Sequence, residues 1–335
     1  MVRPFRVSRR RQGGDMAGAV GEIEAVSARR GLGVRQWLEG ERVLGYLLLL
    51  PAVLYIALLV GVPFFMALRF SVTNATTGGS QSGEFVGLNN FRAVMDMPLF
   101  RTALKNTFIF TFGSEVIKGL LGLALAFLLI RPFRGRGLVR ALIIVPWAMP
   151  VAISAIAWKW MLHPQFSVFN WVLNNTPLIN QTFLGNTYHN WLGDTKLAMA
   201  SVILVNVWRG LPFSAIILMA GITAVPQDLI DAAKVEGAGF WTRWQRVIVP
   251  IIAPILFLSL LFSVIFTFTD LSVVYLLLQG GGAEGATHVL PTLAFQVGIQ
   301  GGALGRGAAI SLFMLPVLMA VAIWLLRILK RREVQ

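Results

Sequence analysis

The stretch DLIDAAKVEGAGFWTRWQRVIVPIIAP, Asp228 to Pro254, decides the fold, because it is a polar, amphipathic segment wedged between two long apolar ones. Its first part predicts a helix from about Gln227 to Glu236, with Leu229, Ile230 and Ala233 on one face and Asp228, Asp231 and Lys234 towards water. Gly237 and Gly239 then let the backbone turn at low steric cost. Beyond them Phe240, Trp241, Trp244, Val247 and Ile248 form a second apolar stripe at helical spacing. The pattern is a helix-turn-helix parallel to a membrane with its first helix exposed. An interfacial amphipathic helix with no protein partner would carry the same Trp residues beside Arg243 and Arg246.

The flanking sequence says which membrane. At 335 residues, 56% hydrophobic and 13% charged, the chain is too apolar for an ordinary soluble domain. Apolar runs near 44–68, 107–130, 138–161, 197–225, 249–278 and 308–329 are each long enough to cross roughly 30 Å of hydrocarbon. The expected class is therefore all-α, a polytopic membrane protein with six transmembrane helices. A tail, residues 1–42, rich in Arg, Gly and Glu and lacking an apolar core, reads as a largely disordered cytoplasmic extension before a membrane domain over 43–330.

The net charge of +14 does not point to nucleic acid, since the basic residues lie between apolar spans instead of covering one face. With the N-terminus inside, 20 of the 29 Lys and Arg residues fall on the cytoplasmic side, in the tail, in Arg131–Arg140, in Lys234–Arg246 and in Arg327–Arg332. Both termini are then cytoplasmic, and so is the Asp231 loop. The opposite 162–196 loop carries Trp171, Tyr188 and Trp191 as interface anchors. Having no cysteine, the chain can form neither disulfides nor thiolate metal sites, and His163, His189 and His288 are too scattered to suggest a metal cluster.

The spacing D-A-A-x3-G-x9-V-x-V-P, from Asp231 through Gly237 to Pro250, closely resembles the loop signature E-A-A-x3-G-x9-I-x-L-P of permease subunits in binding-protein-dependent ABC importers. Asp231 stands in place of the usual Glu. The segments FVGLNNF (Phe85–Phe91), ALKNTFIFT (Ala103–Thr111), WRGLPF (Trp208–Phe213) and AGITAVPQDL (Ala220–Leu229) resemble the carbohydrate-uptake branch of that family. The resemblance covers most of residues 44–329 and implies a type I importer fold in the cell membrane of a prokaryote. It implies a heterodimer with a second permease subunit, two copies of an ATP-binding subunit, an extracytoplasmic solute-binding protein, contact with membrane lipid, and a sugar as cargo. It also makes 226–250 a cytoplasmic coupling loop, with Asp231, Ala232, Ala233, Gly237 and Ala238 on the 227–239 helix docking on the ATPase. The chain has no Walker motif G-x4-G-K-[ST], so ATP and Mg belong to the partner and no cofactor is expected here.

Ionisable residues in hydrocarbon are costly, and Glu115, Lys118, Arg209 and Asp270 stand out. Glu115 and Lys118 are three apart on one helix and can pair. Pro212 removes a backbone hydrogen bond near Arg209, which predicts a broken fourth span lining a cavity. For a sugar, Asn206, Arg209, Ser214, Thr267 and Asp270 supply polar groups and Trp208 and Phe213 supply stacking faces. The alternative is that Arg209 and Asp270 brace one another and never touch solute. Two further readings stay open: an importer of a polyamine or glycerophosphodiester, and a membrane-embedded enzyme, for which Glu115 and Asp270 are the only clear intramembrane carboxylates.

Overall fold

A computed structural model describes residues 41–78, 83–176, 189–279, 281–282 and 285–333. The 1–42 tail, apart from its last two residues, and Tyr188 lie outside the described residues. The chain divides into two compact units, Met1–Met66 and Ala67–Gln335. The first holds α1 (Glu41–Ile56), a π turn (Ala57–Gly61) and the start of α2 (Val62–Ser71), which continue one another as an apolar helix, Val43–Ser71, of 29 residues. The π turn comes just ahead of Pro63, where the missing N–H and the ring crowd a regular α turn; widening the turn lets the helix run on.

The second unit continues with α3 (Asn89–Met95), α4 (Pro98–Ile130), α5 (Arg136–Ala148), α6 (Val151–Met161), α7 (Val168–Asn175) and α8 (Thr195–Thr223). After these come α9 (Gln227–Val235), α10 (Phe240–Arg243), a π turn (Trp244–Ile248), α11 (Val249–Phe268), α12 (Ser272–Leu278), α13 (Leu290–Phe295) and α14 (Leu304–Glu333). Five helical stretches among the described residues are long and apolar enough to cross a membrane, and α5 with α6 forms a sixth only as a pair bent by 95°. The third span is thus not the single run over 138–161 that the composition suggested. Met149, ahead of Pro150, is pushed to an extended conformation (ψ 137°), which ends α5.

The expected break in the fourth span is also overturned. α8 is one continuous helix with Pro212 buried inside it. A proline deletes one i→i−4 bond, and packing by neighbouring helices suffices to hold the helix through it.

Within a bilayer, apolar burial brings little hydrophobic gain, so close packing and polar ties select the arrangement. α4 and α8 run side by side in the same direction along a seam of small residues. A Cβ on Gly113 would lie 3.2 Å from Ile203 Cδ1, and one on Gly122 would lie 3.1 Å from Ser214 Cβ. Three apolar clusters stack along this pair. Phe110, Trp158, Val202, Val205, Val273 and Leu277 join α4, α6, α8 and α12. Val94, Phe100, Leu290, Leu293 and Ile310 join α3, α4, α13 and α14. Ala126, Ile222, Val225, Ile248 and Ile252 close the opposite end. Polar ties fix the second cluster: Asn106 Nδ2 donates to the carbonyls of Ala286 (2.7 Å) and His288 (3.0 Å), and the Leu290 N–H donates to Thr107 Oγ1 at 2.9 Å.

Candidate functional site

The helix expected near 227–236 is α9, and its end is a Schellman turn. The Gly237 N–H donates to the Lys234 carbonyl at 3.0 Å and the Ala238 N–H to the Ala233 carbonyl at 2.9 Å, with Gly237 at φ +81°. The following stripe is not a separate helix: it runs on from Phe240 to Phe268, carried past Pro250 by the π turn at Trp244–Ile248, within a candidate span of 39 residues that ends at Leu278. The motif's terminal proline therefore lies within the start of the fifth span.

α9 has two unlike faces. Ala233 is buried and Ile230 packs on the cluster of Ala126, Ile222 and Ile248, while Phe127 of α4 meets Trp244 at 5.1 Å and Phe240 at 5.8 Å between ring centres. Arg243 Nη1 donates to the Ala238 carbonyl at 2.6 Å, tying the turn to the fifth span. The other face projects. Leu229, expected beside Ile230 and Ala233, is 47% exposed; Val235 is 89% exposed, and Ala232 is exposed too. Asp231 pairs with Lys234 at 2.6 Å and accepts from Gln227 at 3.2 Å, and the Lys234 bond, then the Gln227 bond, hold its carboxyl below the ordinary range. The result is an exposed apolar strip bordered by charge, with its inner face packed through Ile230 on the cluster of Ala126, Ile222 and Ile248.

Inside the spans, the structure brings Asn206, Arg209 and Asp270 together. Asn206 Nδ2 donates to Asp270 Oδ2 at 3.2 Å, and Arg209 Nη1 lies 3.9 Å from the same oxygen. Asp270 Oδ1 accepts the N–H groups of Ser272 (2.8 Å) and Val273 (3.1 Å), so this carboxylate also starts α12. The bracing reading thus describes much of Asp270. Among the described residues two buried atoms beside it have no hydrogen-bond partner, Asn206 Oδ1 and Arg209 Nε, and the Arg209 side chain is 34% exposed.

The other expected pathway residues are dispersed. Thr267 is 3% exposed, and its hydroxyl binds Glu115 and Lys118 rather than the Asp270 carboxylate. Trp208 packs edge-on against Trp158 with ring centres 5.5 Å apart, Ser214 lies in the α4–α8 seam against Gly122, and Phe213 is half-buried further along α8. Sequence reading missed Ser263, which accepts from Lys118 at 3.0 Å; its place four residues before Thr267, on the same helical face, was the available signal. Among the described residues no three His, Cys, Asp or Glu side chains come together to hold a metal ion. His288 is buried against Thr292 (3.1 Å), and burial holds its pKa below the ordinary histidine value.

Comparison with known proteins identifies the family. Residues 118–335 match the family described as "Binding-protein-dependent transport system inner membrane component". The trehalose/maltose transport system permease protein MalF of Thermococcus litoralis is 32% identical over 86% of this chain and 94% of its own length. The diacetylchitobiose uptake system permease protein DasB of Streptomyces coelicolor is 30% identical over 86% of this chain and 87% of its own length. The sulfoquinovosyl glycerol transport system permease protein SmoG of Agrobacterium fabrum is 28% identical over 89% and 94%. In fold the chain is similar to a subunit of a bacterial alginate ABC transporter, with a TM-score of 0.70 at 19% identity over 87% of this chain and 94% of that one. Family, relatives and geometry agree: this chain belongs to the inner-membrane permease components of binding-protein-dependent transport systems, a transport subunit with the type I importer fold and not an enzyme.

Proposed function

We propose that the chain is one permease subunit of an ATP-driven importer of a sugar or oligosaccharide, forming half of the translocation pathway. The observation that carries the coupling part is α9, which presents Leu229, Ala232 and Val235 outwards while Ala233 is buried and Ile230 packs on the cluster of Ala126, Ile222 and Ile248. Such an element suits a groove on an ATP-binding subunit: a push on the outer face is passed through Phe127, Trp244 and Ile248 to α4 and α11. Asp231, Ala232, Ala233, Gly237 and Ala238 are the coupling residues in this reading, and ATP and Mg stay on the partner. The saccharide part rests on relatives whose names specify trehalose/maltose and diacetylchitobiose, and on the Asn206–Arg209–Asp270 cluster, where Asn206 Oδ1 and Arg209 Nε have no partner among the described residues. A second permease subunit, a dimer of ATPase subunits and an extracytoplasmic solute-binding protein complete the assembly, with both termini cytoplasmic.

The test is reconstitution of the whole assembly in proteoliposomes with its binding protein. ATP hydrolysis and uptake should rise with at least one of maltose, trehalose or diacetylchitobiose. Stimulation by spermidine or a glycerophosphodiester alone would move the subunit to another cargo.

A further inference from the structure

Lys118 crosses from α4 towards α11 through a notch in α8. The notch is Gly210, where a Cβ would lie 2.8 Å from the lysine Cδ. An ammonium has three protons, and each finds an acceptor: Glu115 Oε1 at 2.6 Å, Thr267 Oγ1 at 2.9 Å and Ser263 Oγ at 3.0 Å. Thr267 donates its one proton to Glu115 Oε1 at 2.8 Å. The Thr267 hydroxyl is thus used as both donor and acceptor, in a side chain that is 3% exposed. Ser263 differs: it is only half-buried, it accepts from Lys118, and its own proton is uncommitted among the described residues. Ser263 and Thr267 also share a face of the fifth span that leads to Asp270, and Arg209, beside Gly210, reaches that carboxylate.

We propose that Lys118 is a positioning residue for solute passage, setting the hydrogen-bonding sense of the fifth span. It turns Ser263 into a donor for an arriving hydroxyl oxygen and keeps Thr267 out of the path. Gly210 is small so that the lysine can pass. The inference rests on the saccharide reading above, since a polyhydroxylated solute is what a fixed hydroxyl donor would serve.

The decisive variant is Glu115→Gln/Lys118→Met, measured in the complete complex with its binding protein. It removes both buried charges together, and replacing a buried ion pair by neutral groups of similar size is commonly tolerated, so the complex should assemble. Loss of one oriented hydrogen bond should raise the KM for saccharide uptake about three- to tenfold, with a smaller change in maximal rate. Gly210→Ala, which keeps every charge but displaces the lysine chain, should shift KM the same way. A wild-type KM in the double variant, whether or not its yield falls, overturns the positioning role and leaves a structural one. If the wild-type complex carries no saccharide at all, the saccharide reading fails and this inference fails with it.

Discussion

Gly237 and Gly239 sit two residues apart in the same turn, yet the structure predicts opposite sensitivity. Gly237 is at φ +81°, in the left-handed region, and its N–H and that of Ala238 close the Schellman turn. A Cβ in that region costs about 1–2 kcal/mol, and a β-branched residue sits at the upper end. If the turn opens to relieve the strain, two backbone hydrogen bonds are lost at about 1 kcal/mol each. The chain bears the strain or gives up the bonds, not both, so Gly237→Val should weigh about 1–2 kcal/mol against the native end of α9, shifting its population by roughly one power of ten. Space is not the cause, since no atom lies within 4 Å of a Cβ at either glycine. Gly239 has φ −67° and ψ 172°, an ordinary extended conformation at the start of α10, so Gly239→Ser should be neutral or slightly favourable. The assay is solute-stimulated ATP hydrolysis by the reconstituted complex, with retention of the ATPase on purification as a second readout. Gly237→Val should lose stimulation while the spans stay folded, Gly237→Asn should keep much of it because Asn tolerates this backbone region, and Gly239→Ser should match wild type. Full stimulation in Gly237→Val would refute the claim that the turn couples the subunits.

Three other expectations can be checked separately. In the cysteine-free chain, a thiol introduced at Gly135 should resist a membrane-impermeant reagent in intact cells while one at Thr76 reacts; labelling at position 135 would overturn the topology. Asp270→Asn retains an oxygen for the Ser272 and Val273 N–H groups but removes the charge beside Arg209, so assembly should persist with saccharide affinity weakened severalfold, whereas Asp270→Ala should also lower the yield of complex by removing a helix start worth about 1 kcal/mol. Burial depresses the His288 pKa, so the unfolded chain binds the extra proton; stability should fall as pH drops below about 6.5, the unfolded value, and His288→Gln should flatten the dependence of Tm between about pH 7 and 5.5.

Much of α9 and its turn was legible because the causes are local. Helical spacing placed α9, and a glycine four residues beyond Ala233 placed the left-handed turn. Leu229 was misplaced because amphipathic spacing indicates that a face exists, not where its edge falls once Ile230 has packed on the cluster of Ala126, Ile222 and Ile248. The prolines were harder to read. Pro212 looked like a break but is carried inside a packed helix, while Pro150, which was not singled out, terminates α5 and bends the third span.

What the chain alone determined was its solvent and its family: apolar runs long enough to span lipid, basic residues sorted between them, and the Asp231–Pro250 spacing each depend on residues close in sequence. What only the tertiary structure decided was the pairing of residues far apart. Lys118 reaches Ser263 and Thr267 across 145 and 149 positions, and Asn206 reaches Asp270 across 64. Such partners depend on which helix faces meet, and in a bilayer that choice follows from close approach at Gly113, Gly122 and Gly210. Whether an intramembrane charge is braced, spent or left with a free donor is therefore a property of the packed bundle, because the low dielectric of the spans makes each hydrogen bond a condition on its neighbours.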